Sequence, residues 1–272
     1  MCIRDRYTIH TFTNTGTSTF ASNAKGSVDE NASTNILVTE FSVSDPDSNT
    51  HTITLVDGVG NIGRDNGSFL VSGTQLFLNS AIDYESTPHL LINVRANDGE
   101  LTFTTSITIQ VNDINDSAPT DLAVSTSTFA ESVTSGTAVA SITTTDADSS
   151  AVNSFTYSLI SGNGTNDADN SSFTISGSSL ITSGTFDYET KSSLKVYLQV
   201  NDGVASYAKA LTLTVSDVNE TPTDISLTST RVTENVPLGT QVGTLSTTDP
   251  DTGNTFISVS YTHLTLPTTS TV

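Results

Sequence analysis

Five short acidic signatures recur along the 272 residues at an interval of just over one hundred, and this periodicity limits the fold more than any other feature of the chain. Glu30, Glu131 and Glu234 stand 101 and 103 residues apart, and Asp45-Pro46-Asp47, Asp146-Ala147-Asp148 and Asp249-Pro250-Asp251 repeat with the same two spacings. Asp83-Tyr84-Glu85 returns as Asp187-Tyr188-Glu189, Asn97-Asp98-Gly99 as Asn201-Asp202-Gly203, and Asp113-Ile114-Asn115 as Asp217-Val218-Asn219, each shifted by 104. A period of this length is one domain, so the chain reads as tandem copies of a single module. The signatures place repeat one at 14–116, repeat two at 117–220 and the opening third of a third, truncated repeat at 221–257. Residues 1–13 stay unassigned. Met1–Arg6 and the tail at 258–272 do not continue the pattern and read as artefactual ends of a chain that extends in both directions.

Between the signatures the apolar pattern has a period of two. Phe103, Ile107, Ile109 and Val111 fall on one face, and Thr102, Thr104, Ser106, Thr108 and Gln110 on the other, which predicts a half-buried strand. Its counterpart in repeat two carries Tyr207, Leu211, Leu213 and Val215, and the preceding strands carry Ile92, Val94, Ala96 and Leu194, Val196, Leu198, Val200. No segment shows a sustained helical stripe with caps. About seven short strands per hundred residues, parted by Gly, Asn and Asp turns, predict an all-β chain of tandem immunoglobulin-like β-sandwiches with Greek-key topology. The chain has no tryptophan and one cysteine, Cys2, which disfavours an antibody-type domain and excludes an intrachain disulfide framework.

Nine Lys and Arg against 29 Asp and Glu give a net charge of −20, which repels nucleic acid and anionic bilayers alike. No run approaches the length of a membrane span, and the N-terminus lacks the apolar stretch of a secretory signal. Small domains outside the cell without disulfides need another staple, and the acidic signatures suggest calcium. Calcium takes about 6–8 oxygens, drawn from carboxylates, amides and main-chain carbonyls. In extended segments Asp83 and Glu85 project the same way, as do Asp45 and Asp47 or Asp113 and Asn115, so each motif forms a two-pronged clamp. Asp-Pro-Asp and Asn-Asp-Gly are also turn formers. No turn, by contrast, requires Glu30, Asp83, Glu85 and the acids at 113–116 to recur, and their recurrence favours metal binding.

Taken in order, these motifs resemble the cadherin repeats over residues 28–257. That family's motifs are a Glu-Asn near the domain start, Asp-x-Asp, Asp-x-Glu, a late Asp-Gly, and a linker of the form Asp-x-Asn-Asp-Asn-x-Pro. The linker here is Asp113-Ile114-Asn115-Asp116-Ser117-Ala118-Pro119. The resemblance implies calcium between successive domains, held at the first joint by Glu30, Asp83, Glu85, Asp113, Asn115, Asp116, Asp146, Asp148 and Asp202. At the second joint it implies Glu131, Asp187, Glu189, Asp217, Asn219, Glu220, Asp249 and Asp251. Asp45, Asp47 and Asp98 would face an upstream joint. Glu220 replaces the linker's usual Asp, and Ser117 and Thr221 replace its second Asn, which keeps the main-chain carbonyl but shifts the chelating carboxylate.

The expected mechanism is electrostatic. Carboxylate pairs about 5 Å apart repel by about 3 kcal/mol at an effective dielectric near 20, so the metal-free joint should splay and the calcium-loaded joint stiffen. The resemblance thus implies an extracellular or cell-surface adhesin of a large microbial protein, anchored in a membrane or wall and engaging like molecules, another surface protein or a glycan. Two other readings stay open: a passive stalk carrying an unseen catalytic or carbohydrate-binding module, and a β-sandwich that binds glycans directly. Catalysis is not expected, since His51 and His89 lack partner motifs and read as solvated, and no nucleophile elbow, phosphate loop or zinc-type His pair occurs. Tyr84 and Tyr188 read as packing residues at a strand edge rather than as sugar-stacking platforms.

Overall fold

The computed structural model describes residues 8–10, 19–22, 27–45, 50–149 and 152–259. Strands of repeat one and its N-terminal flank are β1 (Thr8–His10), β2 (Thr19–Ser22), β3 (Ser27–Asp29), β4 (Leu37–Ser44), β5 (Thr52–Leu55), β6 (Phe69–Ser72), β7 (Gln75–Leu78), β8 (His89–Asn97) and β9 (Thr102–Asn112). Repeat two contributes β10 (Asp121–Val124), β11 (Thr128–Ala130), β12 (Ala138–Thr145), β13 (Thr156–Leu159), β14 (Phe173–Ser176), β15 (Ser179–Thr182), β16 (Ser193–Asn201) and β17 (Ser206–Ser216). Beyond residue 220 lie β18 (Asp224–Leu227) and β19 (Leu245–Thr248). Two three-residue 3-10 turns, at Asn66–Ser68 and Asn170–Ser172, are the helical elements among the described residues. No helix there is long and apolar enough to cross a membrane.

The chain divides into two compact units. One comprises Met1–Leu122, Thr144–Thr156 and Val200–Tyr207, and the other Ala123–Thr143, Tyr157–Gln199 and Ala208–Val272. In the first unit, strands in the order β1-β2-β4-β7-β6 form one sheet and β3-β9-β8-β5 the other. Pairing is antiparallel except for β3, which runs parallel to β9 with Val28 opposite Val111. The strands of repeat two are ordered β10-β12-β15-β14 and β11-β17-β16-β13, and β11 again runs parallel to β17. This is the expected all-β sandwich with non-sequential strand neighbours.

The period-two pattern is what packs. Ile109 and Val111 are buried, Phe103 and Ile107 lie partly buried against them, and Thr102, Thr104, Ser106, Thr108 and Gln110 are exposed. Phe41, Leu76, Leu78, Ile92 and Val94 complete the first core, with Tyr84 against its margin. Each buried aliphatic contributes about 1.5–3 kcal/mol relative to exposure. In the second unit Val196, Leu198, Leu213 and Val215 are fully buried, and Phe129, Phe173 and Phe186 cluster with ring centroids 4.8 to 6.0 Å apart. Tyr188 is more exposed than Tyr84.

One regularity was not among the signatures. Asp65-Asn66 and Asp169-Asn170 stand 104 residues apart and pin each 3-10 turn to the neighbouring long strand. Asp65 Oδ2 accepts from Leu91 N at 2.6 Å and Asp169 Oδ2 from Lys195 N at 2.7 Å. Asn66 bridges Val56 O and Asn93 N, and Asn170 bridges Ile160 O and Tyr197 N. Asn93 is buried within β8, where it interrupts the simple in-out alternation.

Candidate metal centre

Every residue expected at the first joint belongs to the first unit. Glu30 follows β3; Asp83 and Glu85 occupy the turns between β7 and β8; Asp113, Asn115 and Asp116 follow β9; Asp146 and Asp148 follow β12; Asp202 lies in the turn after β16. Carboxylate oxygens of Glu30, Asp83 and Glu85 come within 4.8 Å of one another, and so do those of Glu85, Asp113 and Asp148. Glu85 belongs to both groups and joins them.

Glu30 is 4% exposed and accepts main-chain hydrogen bonds from Tyr84 N and Ile114 N, both at 2.7 Å. Glu131 does the same for Tyr188 N at 2.6 Å and Val218 N at 2.7 Å. Asp83 caps the following turn, accepting from Ser86 Oγ at 2.7 Å and Glu85 N at 3.1 Å. These contacts correct the expectation that the two positions lack a backbone role. Their recurrence has a metal-independent cause, since a buried amide without an acceptor is costly.

Other oxygens have no such explanation. Asp113 Oδ1, Asn115 Oδ1, Asp146 Oδ2 and Asp202 Oδ2 are buried without a hydrogen-bond partner. In each residue a second polar atom is fixed, which aims the orphan. Asp113 Oδ2 accepts from Ser149 N at 2.8 Å, and Asp146 Oδ1 from Asp148 N at 3.1 Å. Asn115 Nδ2 donates to the Asp202 carbonyl at 2.9 Å. Asp202 Oδ1 accepts from Val204 N and Ala205 N, both at 2.7 Å, so the Asn-Asp-Gly segment is a turn that also presents a spare oxygen. Acceptor oxygens left bare in this way fit a hard cation; of the four residues Asp113 lies in a close group of carboxylates, with Glu85 and Asp148, and Asn115, Asp146 and Asp202 are in neither group. Asp148 is buried and its carboxylate accepts from Ser117 N, whereas Asp116 is exposed and accepts from Asn31 Nδ2 at 2.9 Å.

The crowding is visible in proton affinity. Partial loss of hydration, reinforced by Asp83 and the charges of Glu30 and Asp148, pushes Glu85 up to about 7. Loss of hydration, then the charges of Asp146, Asp116 and Asp113, also raises Asp148. Asp83 is held below the usual carboxylate range, chiefly by its Ser86 hydrogen bond.

Of the residues expected at the second joint, Glu131, Glu189, Asp217 and Glu220 bring oxygens within 4.8 Å of one another. Glu220 N donates to Asp251 Oδ2 at 2.8 Å, and Glu220 Oε2 is buried without a partner. Loss of hydration, followed by the charges of Glu131, Asp251 and Glu189, pushes Glu220 up to about 7. Asp187, Asn219, Asp249 and Asp251 are not in that group of four. Asp187 is turned to Thr190, Asn219 Nδ2 to the Glu220 carbonyl, and Asp249 Oδ1 to Asp251 N. At the upstream end, Asp98 Oδ1 accepts from Glu100 N at 2.8 Å and Leu101 N at 2.6 Å. Asp47 lies outside the described residues. Asp45 Oδ2 is 3.5 Å from His51 Nε2, with side chains only 11% and 12% exposed, so His51 is packed against an acid rather than solvated. His89 is exposed, as expected.

Two asparagines escaped the sequence reading. Asn153 Nδ2 donates to the Asp148 carbonyl at 3.1 Å while its Oδ1 is buried and unpartnered, and Asn31 reaches Asp116. A signal for the first exists: Asn254 likewise follows an Asp-x-Asp pair and reaches Asp251 Oδ2 at 3.3 Å.

No family model matches the chain. Among curated proteins, human Protocadherin-23 is 32% identical over 173 residues, covering 62% of this chain and 5% of that protein. Human Protocadherin Fat 4 is 32% identical over 191 residues (66% and 4%), and Protocadherin alpha-4 of Rattus norvegicus is 28% identical over 193 residues (67% and 20%). The chain thus spans a fifth or less of the length of these relatives. All three are animal proteins and lend no support to a microbial source. The solved extracellular domain of Protocadherin GammaB4 matches with a TM-score of 0.54 at 21% identity, covering 92% of this chain and 41% of that one. Extracellular cadherin domains 1–4 of Protocadherin Gamma B7 match with a TM-score of 0.51 at 23% identity, covering 84% and 57%. With the paired sheets and the parallel edge strands of both repeats, these likenesses identify the fold as tandem cadherin-repeat-like β-sandwiches.

Proposed function

We propose that this chain is a calcium-binding, extracellular segment of a cell-surface adhesion protein, in which ions held by the acidic groups stiffen the array. The observation that carries the reading is the set of four buried, unpartnered oxygens on Asp113, Asn115, Asp146 and Asp202. Glu85 and Asp148 bring carboxylate oxygens within 4.8 Å of that of Asp113. Main-chain amides already fix Glu30, Asp113 and Asp202, so the oxygens are held before any ligand arrives. A bound calcium ion supplies positive charge and accepts these oxygens as ligands. Asp113 and Asn115 belong to the linker and Asp146 and Asp202 to repeat two, so shared coordination would restrain one repeat against the next. The same assignment extends to Glu131, Glu189, Asp217 and Glu220 at the second joint and, with fewer contacts to support it, to Asp45 and Asp98. Repeat boundaries near 116 and 220 belong to this reading, as does engagement of like molecules or of another surface component.

The test is thermal unfolding of the full chain in millimolar calcium and in chelator, with small-angle scattering under both conditions. Calcium raises the melting temperature by several degrees and narrows the distribution of interdomain shapes. The double variant Asp116→Ala with Asp148→Ala loses most of that gain. Coincident melting curves in calcium and chelator overturn the proposal.

A further inference from the structure

Six Asn-x-Ser/Thr triplets occur in the chain, at Asn31, Asn66, Asn115, Asn163, Asn170 and Asn219. In a secreted chain such a triplet is an acceptor for N-linked sugar, provided the asparagine amide stands free at the surface. The structure distinguishes sharply among the six. Asn66 and Asn170 donate through Nδ2 to Val56 O and Ile160 O and accept at Oδ1 from the opposite strand, so a sugar on either would break the polar pin of its 3-10 turn. Asn115 Nδ2 is bonded to the Asp202 carbonyl, and its Oδ1 is buried. Asn31 Nδ2 is bonded to Asp116 Oδ2 and Asn219 Nδ2 to the Glu220 carbonyl.

Asn31 and Asn219 are exposed but spend Nδ2 on those bonds, whereas the Asn163 amide nitrogen does not. Asn163 lies with Gly164 and Thr165 on the loop between β13 and the second 3-10 turn, and all three residues are exposed. Its Oδ1 accepts from Thr165 N at 2.9 Å and Asn166 N at 3.1 Å, which turns Nδ2 away from the chain. No hydrogen bond from Nδ2 is found among the described residues. Gly164 adopts φ +81°, a left-handed conformation that glycine takes without strain, and the space beside its Cα is open. Asp167 accepts from Gly162 N at 2.7 Å and Gly164 N at 2.8 Å, so the loop is internally held while its tip stays bare.

We propose that Asn163 is an N-glycosylation site and the one triplet of the six whose modification the fold accommodates. This rests on the extracellular reading above. The co-reactant is a lipid-diphosphate-linked oligosaccharide. A bond forms between Nδ2 of Asn163 and the anomeric carbon, the bond from that carbon to the diphosphate oxygen breaks, Nδ2 gives up one proton, and the lipid diphosphate departs.

The experiment secretes the full chain from a eukaryotic cell behind a cleavable leader and maps sugar by mass spectrometry before and after peptide N-glycosidase. The expected result is a single occupied site, with Asn163 converted to aspartate on release. Thr165→Val, which keeps the asparagine, abolishes the sugar without changing melting in calcium. Secreted protein whose mass the glycosidase does not alter, or sugar at any of the other five triplets with Asn163 bare, overturns the assignment. Loss of the calcium-dependent melting shift would be a separate failure, since it is read on the metal and not on the sugar.

Discussion

Replacing Glu30 with alanine separates its structural role from any part in metal binding. Its carboxylate is the acceptor for two part-buried amides, Tyr84 N and Ile114 N, at 2.7 Å each. These come from the segments before β8 and after β9, far apart in sequence, so one side chain ties three stretches of repeat one together. Stranding a buried donor costs about 1–3 kcal/mol, and partial access to water at both amides favours the lower half of that range. The sum, about 2–4 kcal/mol, is a large share of the 5–15 kcal/mol typical of a folded domain. Hydrogen exchange at Tyr84 and Ile114, measured in chelator, reads the loss locally. About 1.4 kcal/mol is a factor of ten, so each amide should exchange roughly 5- to 30-fold faster in Glu30→Ala, while buried amides of the second unit keep their wild-type rates. Glu30→Gln retains one acceptor oxygen and should unprotect one amide only. Unchanged exchange at both positions in the alanine variant would refute the clamp and return the recurrence of glutamate at 30 and 131 to metal binding alone.

Acid should stabilise the metal-free chain before it destabilises it. Glu85 and Glu220 are each raised to about 7 in the folded state from an ordinary 4.5, so the folded chain binds extra protons between those values. That contribution is complete below about pH 4.5 and is lost as pH rises through about 7; in chelator, calorimetry from pH 8 to 5.5 should show a rising melting temperature, and a falling one is the contrary result. Asp83, Asp98 and Asp187 are lowered from 3.8 and act in the opposite sense, but only in more acidic solution. Leu198→Ala, at a fully buried position of β16, should cost about 2–5 kcal/mol of second-unit stability whether or not calcium is present, as read by urea denaturation; a loss below about 1 kcal/mol would show that the core there repacks.

Periodicity made the fold legible. Strand alternation at Phe103 to Val111 and at Leu194 to Val200 reports burial directly, because side chains on a pleated strand alternate faces and only one face is dry. The 104-residue shift carried over intact, from β6, β7, β8 and β9 to β14, β15, β16 and β17. Asp65-Asn66 and Asp169-Asn170 were equally visible by that shift, but nothing in the letters distinguishes a polar pin from a surface turn. His51 departs from the solvated expectation for a related reason, since its burial against Asp45 depends on loop placement rather than on any local pattern.

The candidate site was legible as a set of residues and not as an arrangement. Spacing alone singled out the acids, because a duplicated module repeats its chemistry at its own period. Which oxygens are already used by the backbone and which are left bare depends on where distant loops meet. Glu30 closes onto amides at 84 and 114, Asp113 onto Ser149 and Asn115 onto Asp202, and contacts separated by 36 to 87 residues leave no trace in neighbouring letters. The sequence by itself therefore determined the module, its repetition and the identity of the charged groups, since these follow from composition and period. Only the tertiary structure decided that Glu30 and Asp83 serve the backbone while Asp113, Asn115, Asp146 and Asp202 keep an oxygen free, because hydrogen-bond saturation is a property of groups brought together by folding.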